Sequence, residues 1–382
     1  MSIMSHAREC FGVSVVPRGV SSTISTMPAA LTWPRLLETL IEGSDLSISD
    51  ASWAMQQVMA GEATPAQLGG LLVALRIKGE TVDEIVGFRD AVLENAVPLD
   101  VSADVLDIVG TGGDPFGAVL NISSAASVIA AATGIPVVKH GNRGASSASG
   151  ASDVLSELGV DLTLPPERVA AVLGEVGITF VFAAQFHPGF RHAGPTRKEL
   201  GVSTLFNILG PLCNPARPEA SAVGVASLER VPLVVGVFQT RGATALVYRG
   251  DDGIDKLTTT GHSHIWEVSR GSVTEHDLNP VELGIPRSRI EDLLGRDSAH
   301  NASVIRSVLA GERGPVRDVI LLNAAAGLVA WDLKEDPDQL RVPIVDRLRE
   351  KLAVAAEAVD SGAAAAKLEA WVAATRSTPA SS

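Results

Sequence analysis

The chain has 382 residues, more than one hydrophobic core usually serves, so two domains are expected. Hydrophobic residues make up 46% and charged residues 20%, a globular balance that excludes wholesale disorder. A formal net charge of -13 and an aromatic share of 4% argue against a nucleic-acid binder, which needs clustered cations or base-stacking rings.

Residues 1–28 hold no uninterrupted apolar core with a small-residue cleavage site after it. They read as a disordered extension, with Met27 as an alternative start. No apolar stretch of about 18 residues free of charges occurs, so no spanning helix and no membrane partner are expected. Cys10 lies in the extension and Cys213 deep in the chain, which predicts no disulfide and a reducing, cytoplasmic setting.

Residues 29–97 read as four helices and no strand, a small all-helical domain. Trp33, Leu36, Leu37, Leu40 and Ile41 recur at helical spacing. Ser49 and Asp50 are candidate caps for the next helix. Thr64-Pro65 opens a third, and Thr81 with Glu84 gives a capping-box pattern for a fourth reaching Asn95.

The pattern changes at Pro98. Strands are expected at Val105–Val109, Pro136–Lys139 and Ile178–Ala183, with helices at Ile122–Ala132, Ser152–Leu158 and Val169–Val176. Further strands are expected at Ala220–Val225, Ala243–Tyr248, Ser263–Val268 and Ser272–Glu275, and further helices at Val231–Gln239, Asn301–Leu309, Val316–Trp331 and Gln339–Val359. This alternation predicts an α/β domain over 98–376 with a mostly parallel central sheet and flanking helices. Helices around 188–212 are expected to join the helical domain, and 377–382 to form a disordered tail.

Five polar clusters fall beside these strand ends. Gly110-Thr111-Gly112-Gly113-Asp114 follows the first strand; glycines there let backbone N–H groups approach anionic oxygens, although a tight strand–helix turn would look the same. Neither the dinucleotide nor the Walker spacing is present. Asn121-Ile122-Ser123-Ser124 could bind phosphate or magnesium, or simply cap a helix. Lys139-His140-Gly141-Asn142-Arg143 leaves the second strand, where open α/β sheets bind ligands, and Ser146 and Ser147 follow. His187-Pro188 to Arg197-Lys198 offers an arginine able to grip a carboxylate, or an amphipathic basic face. Asp251-Asp252-Gly253-Ile254-Asp255-Lys256 could take magnesium or be an acidic turn. Their recurrence at strand ends within one domain favours a single ligand site.

Together, and in this order, these motifs closely resemble the anthranilate phosphoribosyltransferase family, as do Phe206–Leu212, Asn214-Pro215 and Asn323–Ala325, over about residues 33–374. The resemblance implies a nucleoside-phosphorylase-like fold, a homodimer formed through the helical part, and transfer of phosphoribose from 5-phosphoribosyl 1-pyrophosphate to anthranilate with Mg2+. It implies that Gly110, Gly113 and Asp114 cradle the donor, that Asn121, Ser123 and Ser124 continue that site, and that Ser123 and Asp255 serve the metal. Lys139, His140, Asn142, Arg143, Ser146 and Ser147 would line the phosphoribosyl pocket. Gly110, Asn142 and Arg197 would meet anthranilate, Arg197 at its carboxylate, with His187 and Pro211 on the access path. Three features depart from the family pattern: a loop at 115–120 one residue longer, Ala151 in place of a common serine, and Lys256 where the pattern Asp-Gly-x-Asp-Glu ends in an acid. A pyrimidine nucleoside phosphorylase and a non-catalytic ligand- or nucleic-acid-binding relative are the rival readings.

Overall fold

The computed structural model describes residues 31–144 and 149–377. Four helices come first: α1 (Trp33–Ile41), α2 (Ile48–Ala60), α3 (Pro65–Lys78) and α4 (Val82–Glu94). The cap of α2 is Ser47, two residues before the expected pair: its side chain accepts from the Asp50 backbone N–H at 3.1 Å, and Asp50 sits in the first turn. Thr64 and Thr81 each complete a capping box, with Gln67 and Glu84. The orphan N–H groups of both helix starts are thereby satisfied.

The second part alternates β1 (Leu106–Gly110), α5 (Ile122–Ala132), β2 (Val137–Gly141), α6 (Ala151–Glu157), α7 (Pro166–Val176), β3 (Ile178–Phe182), α8 (Ala183–Phe186), α9 (Gly194–Leu200), α10 (Phe206–Leu209), β4 (Ala220–Gly224), α11 (Val231–Arg241) and β5 (Thr244–Gly250). A hairpin of β6 (Ser263–Ser269) and β7 (Ser272–Leu278) follows, then α12 (Ser298–Leu309), α13 (Pro315–Glu335), α14 (Ile344–Asp360) and α15 (Ala363–Arg376). The C-terminal segments differ from expectation. Gln339–Val359 is not one helix: a 3-10 turn at Pro337–Arg341 ends before Pro343, and α14 starts after it. A helix beyond the expected set, α15, starts at Ala363, separated from α14 by Gly362 at φ +81.

The seven strands lie in the order β3-β2-β1-β4-β5-β6-β7, parallel from β3 to β5 and antiparallel beyond. Both faces of the parallel part are covered, so its strands are apolar on both sides. Leu106, Ile108, Leu246 and Tyr248 face a core shared with α5, α12, α13, α14 and α15. Val109, Val223, Ala245 and Val247 face a second core that runs through α11 into α1–α4. At Gly236 of α11 an added Cβ would lie 2.4 Å from Val82 Cγ2, so a side chain there would force the helical part off the sheet. The chain leaves β1 toward β2 and β3 on one side and returns as β4 and β5 on the other. The carboxyl end of β1 is therefore the switch point, where such sheets open a ligand crevice.

Candidate active site

At that point lies a cleft of about 290 Å³. Its wall includes Gly110, Gly113, Asp114, Asn121, Ser123, Ser124, Lys139, His140, Asn142, Arg143, Arg197, Pro211 and Asp255, residues from all five sequence clusters except the immediate surroundings of His187. Ser146 and Ser147 lie outside the described residues. His187 is elsewhere: only 2% exposed, it stands behind the wall, its ring 5.3 Å from that of His140 and 5.2 Å from Phe190. On that side the cleft is lined instead by Phe190, Phe206, Asn207 and Pro211. The short helices between β3 and β4 fold His187 under them, which its sequence neighbours did not signal.

The glycine loop is shaped by its backbone. Gly112 and Gly113 have φ of +67° and +78°, values that side chains resist. Thr111 N–H donates to Gly224 O at 2.9 Å, tying the loop to β4. Asp114 Oδ1 accepts from the N–H groups of Phe116 and Gly117 at 3.0 and 2.8 Å, which closes the following turn. An added Cβ on Gly110 would meet Asp255 Oδ2 at 2.1 Å, so only glycine lets the two chain segments touch.

Asn121 does not cap α5 with its side chain. It donates to Ser149 O at 3.2 Å and accepts from Asn301 Nδ2 at 3.1 Å, while Asn301 also donates to Ser149 Oγ at 2.9 Å. This knot joins the start of α5, the segment before α6 and α12. Asn301 is 1% exposed and 180 residues from Asn121, and nothing local in the sequence marks it.

Lys139 is buried in the middle of β2, donating to Ile108 O at 2.7 Å with Ser123 Oγ at 3.5 Å. Burial lowers its pKa to about 8, and the Asp107 carboxylate opposes that fall. Asp107 in turn is raised to about 6 by burial, against the pull of Lys139 and of hydrogen bonds from Asn214 and the His140 backbone. Its oxygens accept from His140 N–H at 3.2 Å and Asn214 Nδ2 at 2.9 Å, so it fastens the strand end that presents Lys139. The signal for Asp107 was an acid in the middle of an apolar strand. His140 Nδ1 lies 2.9 Å from Gly210 O. A carbonyl only accepts, so Nδ1 carries the proton; burial lowers this group to about 3 and His187 to about 4, leaving both rings neutral.

Arg197, also on the wall of the cleft, lies with Cζ 4.9 Å from the Phe206 ring centroid. Burial holds its pKa below the ordinary value, and among the described residues no carboxylate is within ion-pair distance of it. An unpaired, stacked guanidinium is suited to a planar carboxylate. In the acidic loop, Asp252 is occupied by the hydroxyls of Thr258 and Thr260 at 2.7 and 2.6 Å and does not reach the cleft. Asp255 does reach it.

The family description "Glycosyl transferase family, a/b domain" matches residues 102–365, and "Glycosyl transferase family, helical bundle domain" matches 34–96. Anthranilate phosphoribosyltransferase of Clavibacter sepedonicus is 77% identical over 350 residues, covering 92% of this chain and all of the relative. This chain belongs to the anthranilate phosphoribosyltransferase family. The enzyme of an Arthrobacter strain is 54% identical over 94% of this chain and all of its own length. Among solved structures, anthranilate phosphoribosyltransferase from Thermus thermophilus superposes with a TM-score of 0.81 at 41% identity, covering 90% of this chain and 99% of that one. The Saccharomyces cerevisiae enzyme in complex with PRPP and Mg gives 0.81 at 25% identity, over 91% and 98%. The helical bundle beside a mostly parallel α/β domain is thus the family architecture.

Proposed function

We infer that the protein is a pentosyltransferase of tryptophan biosynthesis. It moves the phosphoribosyl group of 5-phosphoribosyl 1-pyrophosphate to the amino nitrogen of anthranilate, giving N-(5-phosphoribosyl)anthranilate and pyrophosphate. The observation that carries this reading is a single cleft with two unlike sets of lining groups: a glycine loop with buried lysines, and an arginine stacked on Phe206 with no ion-pair partner among the described residues. The first set suits an anionic leaving group and the second an aromatic carboxylate.

In this reading the C1–O bond breaks with its electron pair leaving on pyrophosphate, and the amine forms the C1–N bond and loses a proton to solvent. Lys139 and the N–H group of Gly113 offset charge on the departing oxygens. Asn121, Ser123, Ser124, Asn142 and Arg143 flank the sugar and its 5-phosphate, while Arg197 orients anthranilate beneath Pro211. Most of the rate then comes from position and electrostatics, because the amine is already a nucleophile.

Magnesium is the expected cofactor. Among the described residues no group of three or more His, Cys, Asp or Glu side chains is arranged to hold a metal. Magnesium keeps several waters and leans on substrate phosphates, so a site with few protein ligands fits it. Ser123 would hold it, and the ion would supply positive charge to the leaving pyrophosphate. The location is inferred to be the cytoplasm; among the described residues no helix is long and apolar enough to cross a membrane. A homodimer through the helical part is supported by Ile41 and Ile77, which are 77% and 81% exposed there.

The test is direct. Protein mixed with anthranilate, 5-phosphoribosyl 1-pyrophosphate and magnesium should extinguish anthranilate fluorescence only when all three are present. Phosphate-dependent cleavage of a pyrimidine nucleoside in place of that reaction would overturn the reading, as would binding without turnover.

A further inference from the structure

Lys256 is 8% exposed and lines the donor end of the cleft. Its Nζ donates to Asp255 O at 2.9 Å and to Asp255 Oδ1 at 2.5 Å. The other carboxylate oxygen, Asp255 Oδ2, accepts from Gly112 N–H at 2.7 Å. Both oxygens of the one acid that this loop brings to the cleft are therefore taken, one by a cation and one by the glycine loop. Neither neighbour can replace it. Asp252 is held by two threonine hydroxyls, and Asp251 faces His264 at 3.3 Å. A divalent ion drawn to Asp255 would meet an ammonium group already bonded to it. Lys256 itself has three donors, and two are used within the protein.

We propose that Lys256, locked by Asp255, binds the diphosphate of the donor directly and takes the place of a divalent ion at Asp255, so that the cleft works with the one magnesium at Ser123. The inference rests on the phosphoribosyl-transfer reading for the identity of the diphosphate. The third donor of Lys256 is available to a phosphate oxygen, and lysine serves phosphate as a point charge. An ideal Cβ on Gly110 would lie 3.0 Å from Lys256 Nζ, so the ammonium stands immediately beside the glycine loop, whose Gly113 N–H suits the same anion. Asp255 is then a positioning residue: it neutralises Lys256 when the cleft is empty and aims it at Gly112. Lys139, which also lines the cleft, is near enough to Lys256 for the two charges to repel. A polyanion bound beside both would relieve that repulsion.

The experiment counts metal ions on the full-length protein. Manganese, followed by electron paramagnetic resonance in the presence of pyrophosphate, should bind at one ion per cleft in the wild type and at two in Lys256→Glu. Calorimetry without metal should show pyrophosphate binding that weakens about tenfold or more in Lys256→Met and is kept in Lys256→Arg, with anthranilate affinity unchanged in all. Two manganese ions in the wild type would overturn the inference, whatever the folding of any variant. So would unaltered pyrophosphate affinity in a folded Lys256→Met. A wild type that makes product but binds two ions loses this inference and keeps the proposed function. A wild type that binds one ion yet makes no product does the reverse.

Discussion

The residues of the cleft divide by what they touch. Arg197 has an aromatic ring on one side and no acid within reach among the described residues, so its charge is available to a ligand. Arg197→Ala should raise the KM for anthranilate about tenfold to a hundredfold, or ~1.4–3 kcal/mol, while the donor KM moves little. Equal rises in both, from steady-state rates with each substrate varied in turn, would make Arg197 a structural residue. Gly110 makes a complementary case. Even one methyl group would push into Asp255 Oδ2 at 2.1 Å and open the contact between the glycine loop and the Asp255 segment. Gly110→Ala is therefore expected to cost at least tenfold in donor affinity by calorimetry with its circular dichroism spectrum unchanged. Donor affinity equal to wild type would show that this contact is dispensable. The glycines and the lysine were legible as motifs because each is an unusual residue type beside a strand end, and the arginine because it sits in a basic cluster after the third strand. Asn301 and the burial of His187 were not, because both depend on segments that meet only in three dimensions.

Among the elements, the antiparallel hairpin is fixed to α14 by one buried ion cluster. Glu267 of β6 accepts from both guanidinium nitrogens of Arg347 at 2.6 and 2.7 Å and lies 2.7 Å from His276 Nε2 on β7. Burial pushes its carboxyl up, but the hydrogen bonds from His276 and Arg347 outweigh that and hold it below the ordinary value. A carboxylate with a depressed native pKa adds stability above its unfolded pKa, which is 4.5, and loses it as the pH falls through the native value. Glu267→Gln leaves Arg347 buried without its counter-charge, which typically costs about 3–5 kcal/mol. Denaturant unfolding should show that deficit at pH 7 and a shrinking one below about pH 4.5, since wild type then protonates the same oxygen. A deficit that does not change with pH would mean that shape, not charge, holds the hairpin. Element types were readable from apolar periodicity, and Thr64-Pro65 and the Thr81–Glu84 capping box located two helix starts. The split of Gln339–Val359 was within reach of the same reading, because Pro343 cannot continue a helix from the residues before it.

For the whole molecule, the helical part presents its own surface question. Ile41, Val73 and Ile77 are 77%, 40% and 81% exposed on α1 and α3, while the opposite faces of these helices are buried in the core shared with the sheet. Apolar side chains of that size on one domain suit an interface between copies. The proposed homodimer predicts that the wild type sediments as a dimer and the double variant Ile41→Glu/Ile77→Glu as a monomer in analytical ultracentrifugation, with the fluorescence assay reporting whether the separated subunits still turn over. An unshifted dimer would move the interface to another surface.

The sequence alone determined the two-part architecture, the alternation that makes a parallel sheet, and the chemistry available at the strand ends. These follow from local rules of period, capping and residue type, and the family resemblance follows from motifs in order. The tertiary structure decided which of those groups share one cleft. It put β1 between β2 and β4, so that the loops after β1, β2 and β5 converge, and it buried His187 behind the wall they form. It also turned Asp255 and Lys256 from an acidic-loop pair into a lock against Gly112, 143 residues away. Such contacts depend on strand order and burial, and neither is encoded within the span of any one motif.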